Sequence, residues 1–378
     1  MKKRTFLAFV VFMSLMVNAQ KEYDNKVFKF VFEYTGDNLV NLSGGIKTGY
    51  AYVGLAHFQL DVDTEKAGWW KNGQLLINLS SSHGPLASEK LFGDLTVVSG
   101  IEAGDHIFLQ DFWLRQRIRN FEFTVGIQEL NDETAHVAMG ELFVHSSFGI
   151  SPILSANMDG PIYPHTSPGI TTKWFVDDKI TWLNAFYAGK AADRDRYIYN
   201  LNWSFKAGGG HLLITEIQHS VEVNRLPGTY KIGFFSNNHL VEKALTTVFP
   251  DSLDKTTWGA YASYEQTLWQ ENKRGIDAFA HAGISPADYS INKLYMGGAV
   301  ILNGFLSRRN DDELGLGAAY AQLRKGMGHE TFIEITWKKP LTNNFYIQPD
   351  FHYIITPSGR ISGLQNSLAG NVRFGLVL

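Results

Sequence analysis

The stretch ETFIEITWK, which runs from Glu330 to Lys338, switches between apolar and polar side chains along its length. Ile333 and Ile335 fall on one side of an extended chain, and Glu334 falls on the other. A period of two residues indicates a β-strand, because successive side chains of a strand point to opposite faces. A full charge in mid-strand is out of place in a dry core, so one face of this strand is predicted to meet water.

Neighbouring stretches repeat this alternation. FYIQPDFHYII, from Phe345 to Ile355, places Phe351 and Tyr353 opposite Asp350 and His352. Pro- and Gly-containing stretches join such segments and predict turns. Further stretches with the same pattern are Phe108–Asn120, Arg196–Phe205, Tyr230–Phe234 and Val372–Leu378.

The first residues have the features of an export signal. Lys2, Lys3 and Arg4 form a basic start, Phe6–Val17 is apolar, and Ala19 offers a small residue for cleavage. The apolar run is too short for a comfortable helix across about 30 Å of bilayer. We therefore expect residues 1–19 to be a signal peptide and residues 20–378 to be one exported domain.

An exported chain without a further membrane helix is either soluble or a closed barrel. Two features favour the barrel. Charges such as Arg115, Arg117 and Arg373 occupy polar strand faces, which a water-filled lumen accommodates. Aromatic residues cluster at predicted strand ends, as in the interfacial girdles of outer-membrane barrels; they are Trp69, Trp70, Trp113, Trp174, Trp182, Trp203, Trp337 and Tyr353.

The expected fold is therefore an all-β, transmembrane, antiparallel β-barrel in the outer membrane, in contact with its lipid. A membrane strand takes about 10 residues, so the mature chain suits about 16 strands. A barrel of that size leaves an aqueous channel.

Composition excludes several other classes of function. The net charge of −3 gives no basic surface for nucleic acid. The chain has no cysteine, so it has neither disulfides nor thiolate metal sites. Its 12 histidines lack the close spacing of a helical metal motif, and no nucleotide-binding glycine motif stands out. We predict no cofactor and no metal from the sequence.

A series of motifs occurs in order along nearly the whole mature chain. They include GLAHFQLD at 54–61, GWWKNGQL at 68–75, FVHSSFGISP at 143–152, RRNDDELGLG at 308–317 and QPDFHYIITPSG at 348–359. In this order they resemble the carbohydrate-selective porins of the OprB family. The resemblance implies passive diffusion of mono- or small oligosaccharides through a pore narrowed by loops folded into the barrel. A homo-oligomer is possible.

Polar strand faces supply the candidate lining of the channel. Arginine, carboxylate and amide groups can hydrogen-bond to sugar hydroxyls and release them again when the contacts are weak. The candidates are Asp111, Arg115, Arg117, Glu122, Gln128, Glu334, Asp350, His352 and Arg373. The alternative for each of them is a generic, solvated lumen residue.

Two other functions remain open at this point. His145 and Ser147 stand two residues apart, and a barrel hydrolase could use such a pair if an orienting group and an oxyanion site were present. A structural barrel whose lumen is plugged and non-conducting is the second alternative.

Overall fold

The structure, a computed structural model, describes residues 27–191, 199–201, 209–238, 256–287 and 290–378. The expected signal peptide lies outside these residues. Within them, sixteen antiparallel strands form a closed barrel in which each strand pairs with its neighbours in sequence and β1 pairs with β16. The barrel of about 16 strands is confirmed. The strands are β1 Phe28–Gly45, β2 Gly49–Asp63, β3 Gly73–His83, β4 His106–Ile118, β5 Phe121–Gln128, β6 Ser167–Phe175, β7 Ile180–Ala188, β8 His211–Val223, β9 Leu226–Asn237, β10 Thr257–Glu271, β11 Arg274–Ile284, β12 Asn292–Asn303, β13 Glu313–Leu323, β14 His329–Pro340, β15 Phe345–Ile355 and β16 Gln365–Val377.

The alternation seen in the sequence sets which side chains face outward. Ile333 and Ile335 on β14 are 41% and 46% exposed on the outer surface, whereas Glu330 and Glu334 on the opposite face of the strand are fully buried inside. An apolar exterior matches lipid, and paired strands leave no backbone group unsatisfied in the bilayer. Among the described residues, no helix is long and apolar enough to cross a membrane.

An ion pair closes the seam between the first and last strands. Asp37 on β1 pairs in register with Arg373 on β16. The Arg373 guanidinium donates from Nε and from one terminal nitrogen to the two Asp37 oxygens, at 2.7 and 2.8 Å. Such a bidentate contact adds geometric specificity as well as energy, so it favours this register at the seam.

Two predictions about strand positions were wrong in part. In β4, Gln110 forms a bulge, so Phe108 lies on the inner side with Asp111 rather than outward with Phe112. The predicted strand Arg196–Phe205 falls mostly outside the described residues. Its described part, residues 199–201, is not a strand, although the Tyr199 carbonyl accepts a hydrogen bond from the β4 backbone.

The two-residue turns lie at one end of the barrel, called the short-turn end here, and the longest connections lie at the other end. At the short-turn end, Asn224 and Arg225 both adopt positive φ, as a two-residue type I′ hairpin requires. In outer-membrane barrels the short turns face the periplasm and the longer loops face outward. Trp174 and Trp182 are exposed beside each other at the short-turn end, as predicted for a girdle. Trp113 was wrongly assigned to the girdle, because its side chain is buried inside the barrel.

Two of the long connections fold into the barrel. The first inward segment, residues 84–105, joins β3 to β4, and the second inward segment, residues 129–166, joins β5 to β6. Phe148 and Leu154 of the second segment are fully buried in one apolar core with Phe332 of the wall. Its helical turns are short, at Leu130–Asp132, Ala138–Leu142, Ser146–Phe148 and, as the helix α1, Pro152–Ser155. The second inward segment therefore covers the inner faces of the strands that it packs against.

Gly126 on β5 is required by a close approach between strands. Its φ is +146°, and a Cβ there would lie 2.1 Å from the Phe112 carbonyl oxygen and 2.6 Å from the Trp113 Cα. We expect Gly126→Ala to destabilise the barrel by about 1–3 kcal/mol, measured as a lower midpoint of heat-induced unfolding on gels. Gly68→Ala is the control, because Gly68 also has positive φ but no atom within 4 Å. Equal losses in both variants would contradict this reading.

Candidate channel site

Carboxylates on the barrel wall hold the second inward segment in place. Glu216 on β8 accepts a hydrogen bond from the Ala135 backbone N–H at 2.8 Å. Glu265 on β10 accepts one from the Met139 N–H, also at 2.8 Å. Hydrogen bonds to an ionised acceptor are roughly twice as strong as neutral ones. These two contacts help to anchor residues 133–142, together with the Lys231 ammonium, which donates to the His136 carbonyl, and the Gln348 amide, which donates to the Leu142 carbonyl.

Two further wall carboxylates bind backbone N–H groups on the other side of the barrel. Glu330 on β14 accepts from Leu95 at 2.9 Å and from Thr96 at 3.0 Å, both in the first inward segment. Glu334 accepts from the Val144 N–H at 2.7 Å, in the second inward segment. The wall therefore fixes both inward segments through acidic side chains of its inner face.

A group of four alternating charges lies where the second inward segment meets β4–β6. Arg115 and Lys173 each stand 3.6 Å from a Glu122 oxygen, and both also contact Glu133 of the inward segment. We call these four residues the charge quartet. Their side chains are between 10% and 23% exposed, so they keep contact with water inside the barrel. Two positive and two negative groups make the quartet neutral overall.

Other polar groups continue the inner surface around the quartet. The Arg115 Nε donates to the Thr124 hydroxyl at 3.1 Å, and its guanidinium lies 4.4 Å from the Trp113 ring centroid. Gln74 donates to Asp61 at 2.6 Å on the neighbouring strands. This part of the inner wall therefore carries several hydrogen-bond donors and acceptors.

The predicted lining residues of β4 and β5 fall at different depths. Arg115 and Glu122 belong to the charge quartet. Asp111 and Gln128 are buried: Asp111 accepts from Asn78 at 3.1 Å, and Gln128 donates to the Gly169 carbonyl at 2.9 Å. Arg117 is exposed near the short-turn end, 4.4 Å above the Phe175 ring.

The other predicted residues form a separate group on β14–β16. Glu334, Asp350 and His352 are almost completely buried, and Arg373 is held by Asp37. The inward segments separate them from the quartet side of the barrel. The role of all nine predicted residues in lining a channel stays a prediction.

His145 and Ser147 do not have the geometry of a general base and the nucleophile that it activates. The Ser147 hydroxyl donates to the Thr96 carbonyl at 3.0 Å, while the His145 Nδ1 accepts from the Ser147 backbone N–H. The His145 ring stacks on Phe332 at 3.6 Å. Both residues thus fasten the two inward segments to each other and to the wall.

Sequence reasoning missed Lys173, Glu133, Glu216 and Glu265. Alternation along β6 could have identified Lys173 as an inward cation, since Thr171 and Lys173 share a face. Nothing in the sequence places Glu133 beside Arg115, because Glu133 belongs to a connection whose path depends on tertiary packing.

Glu129, the first residue of the second inward segment, makes stability depend on pH. Burial, with the nearby Asp132 carboxylate, raises the pKa of Glu129 to about 8. In an unfolded chain this carboxyl titrates near about 4.3. Folding therefore takes up a proton between these two values, and stability is lost as the pH rises through that window.

We expect Glu129→Gln to weaken the decline of the unfolding midpoint between pH 5 and pH 8. The unfolding midpoint in detergent at several pH values is the measurement. Glu141→Gln is the control, because Glu141 lies in the same segment with its side chain 69% exposed. A midpoint that depends on pH equally in Glu129→Gln and in the unchanged protein would refute the assignment.

Comparison with known proteins identifies the family. The model of the family described as carbohydrate-selective porin, OprB family, matches residues 47–377. The chain belongs to this family. Among curated proteins, Porin B of Pseudomonas aeruginosa is 23% identical over 322 residues, which cover 78% of this chain and 70% of that protein. This OprB-family chain is an outer-membrane channel protein for carbohydrates, as its resemblance implied.

Solved structures carry the same fold. OprB of Pseudomonas putida in its high-pH structure gives a TM-score of 0.85 at 15% identity, covering 95% of this chain and 96% of that one. The outer-membrane channel DcaP of Acinetobacter baumannii gives a TM-score of 0.56 at 9% identity, covering 93% and 97%. At these identities the likeness concerns the fold, and it agrees with the barrel described above. Family and fold are those of a channel rather than an enzyme.

Proposed function

We propose that mono- and small oligosaccharides cross this barrel passively, alongside the charge quartet of Arg115, Lys173, Glu122 and Glu133. The charge quartet supports this proposal. All four of its side chains are charged, their charges sum to zero, and they are partly exposed to water. Because the two positive and two negative side chains of the quartet pair with each other, most of the electric field that would make the channel ion-selective cancels. The hydrogen-bonding groups remain available to hydroxyls.

Weak contacts suit transport down a gradient. A solute must bind well enough to enter and weakly enough to leave. Partly exposed side chains that are already paired meet that requirement. A sugar hydroxyl that binds to them replaces a water molecule and does not satisfy a previously unpaired charge. No energy source and no catalytic step enter this scheme. The hydrogen bond from the Ser147 hydroxyl to the Thr96 carbonyl supports a structural role for that serine and not a hydrolytic one.

Liposome swelling tests the proposal. Vesicles that contain the folded protein are placed in isotonic solutions of a monosaccharide, a disaccharide and larger oligosaccharides. We expect swelling rates that fall steeply with sugar size and exceed those of empty vesicles for the smaller sugars. A lack of swelling with every sugar would favour the non-conducting barrel instead. Ester hydrolysis that is lost in Ser147→Ala would favour the enzyme.

We also propose that barrels associate through the outer face of β6–β9. Thr172, Asn184 and Thr215 point outward there, between exposed apolar residues such as Phe186. Thr215 donates to the Asn184 side chain at 2.8 Å, Thr172 donates to the Asn184 carbonyl at 3.3 Å, and the Trp182 indole donates to the Thr215 hydroxyl at 2.9 Å. Polar side chains facing lipid are costly, and a second barrel covering this face would remove them from lipid.

Cysteine cross-linking tests this association, since the chain has no native cysteine. We expect Asn184→Cys to give disulfide-linked dimers in membranes. Leu316→Cys, outward on β13 and 58% exposed, should stay monomeric. Equal cross-linking at both positions, or none at Asn184→Cys, would argue against the interface.

We further propose that export removes residues 1–19. The basic start and apolar run support this. Amino-terminal sequencing of the protein extracted from membranes should begin at Gln20, and a start at Met1 would overturn it.

A further inference from the structure

Three ionisable side chains of the inner wall converge on one point. Glu334 on β14 pairs directly across the sheet with His352 on β15, and Asp350 lies two residues before His352 on the same inner face. One potential ligand atom from each lies within 4.8 Å of the others. The spacing follows from sheet geometry, since directly opposite residues have their Cβ atoms about 4.5–5.5 Å apart.

Polar atoms in this cluster are buried without hydrogen bonds. Both Asp350 oxygens and both His352 ring nitrogens lack a hydrogen-bond partner, although the Asp350 carboxylate and the His352 ring touch. Asp350 is fully buried and His352 is 1% exposed. Buried polar groups are nearly always satisfied, and each exception calls for an explanation such as a bound ion.

The two carboxyl groups of the cluster lie close to each other and to one imidazole. Within the described part of the chain, the ion-pair contacts of Glu334 and Asp350 are with His352 alone. The nearby Arg373 is already engaged by both oxygens of Asp37. Isolated buried carboxylates are very unfavourable unless they are paired or bind a metal. A divalent cation would neutralise two such charges.

We propose that Glu334, Asp350 and His352 bind one divalent transition-metal ion of the Zn²⁺ type. An imidazole nitrogen with two carboxylates is a ligand set that suits zinc, whereas calcium and magnesium prefer oxygen alone. Glu334 also binds the Val144 and His145 backbone N–H groups. The ion would therefore join strands β14 and β15 to the second inward segment, as a structural staple of the constriction.

Metal content of the folded protein tests the site. The full mature chain is unfolded in urea with EDTA, refolded into detergent with or without Zn²⁺, and dialysed before elemental analysis. We expect one tightly held zinc per refolded barrel, and a higher unfolding midpoint for the zinc-loaded sample. Asp350→Asn with His352→Gln should lower the bound zinc at least tenfold (about 1.4 kcal/mol).

Glu265→Gln is the matched control, because it changes another buried wall carboxylate that binds the inward segment outside the cluster. This variant should keep its zinc. X-ray absorption of the zinc-loaded unchanged protein decides the case if the double variant does not fold, and it should show nitrogen and oxygen ligands with one imidazole. Refolded protein without zinc, or zinc retained in the folded double variant, would overturn the proposal. A coordination shell with several imidazoles would do the same.

Discussion

Replacing Glu216 and Glu265 together by alanine is expected to widen the channel. Each carboxylate binds one backbone N–H of the second inward segment, at Ala135 and at Met139. A hydrogen bond to a charged group contributes about 1.5–3 kcal/mol, so losing two favours release of the segment by roughly a hundredfold or more. Single-channel recording should show larger, noisier currents, and liposomes should admit larger oligosaccharides.

The control for this change uses the same strands. Glu222 at the end of β8 and Glu271 at the end of β10 are exposed, so Glu222→Ala with Glu271→Ala removes the same charge without freeing the segment. The control should keep the conductance and the size limit of the unchanged protein. A double variant at Glu216 and Glu265 with the original conductance and size limit would mean that the carboxylates do not hold the constriction.

Replacing Arg115 and Lys173 together by alanine is expected to turn a nearly unselective channel into a cation-selective one. Glu122 and Glu133 would then lose their positive partners. Two carboxylates about 8 Å from a passing ion contribute about 1 kcal/mol in water, which gives a roughly fivefold preference for cations. The reversal potential under a salt gradient measures this preference, which should shrink at high ionic strength.

Lys71→Ala with Lys273→Ala is the matched control, because both lysines are exposed in connections at the same end of the barrel and the change in net charge is the same. Their distance from the inner surface predicts little change in the reversal potential. An equal shift in both double variants would show that net charge, and not the quartet, sets selectivity. An unchanged reversal potential after loss of Arg115 and Lys173 would place the ion path elsewhere.

The strands were predictable because the alternation of side chains between two faces depends only on neighbouring residues in the sequence. Alternation in residues 330–338 and 345–355 follows from one face meeting lipid, and the structure places Ile335 and Phe351 outward accordingly. The Gln110 bulge was not predictable, because no residue type or pattern in the sequence marks it. The bulge reverses the face on which Phe108 lies. Residues 199–201 were predicted to belong to a strand; they are not in one, and Tyr199 contacts β4 through a backbone hydrogen bond.

Only those residues of the candidate site that lie on strands were predictable. Arg115 and Glu122 follow from alternation, but their partner Glu133 belongs to a connection whose course depends on the core around Phe148 and Phe332. The sequence predicted water against Glu334 and Asp350. Inward segments cover them instead, and no metal was predicted because their approach to His352 arises from pairing across strands.

We infer that the barrel encloses a continuous, water-filled path that small sugars share with ions. The decisive experiment is single-channel recording in planar bilayers, with a monosaccharide added to one side and then to both. We expect stepwise, ohmic currents that the sugar reduces reversibly and with a dependence on its concentration. A folded, inserted barrel that carries no current, or currents that no small sugar alters, would contradict it.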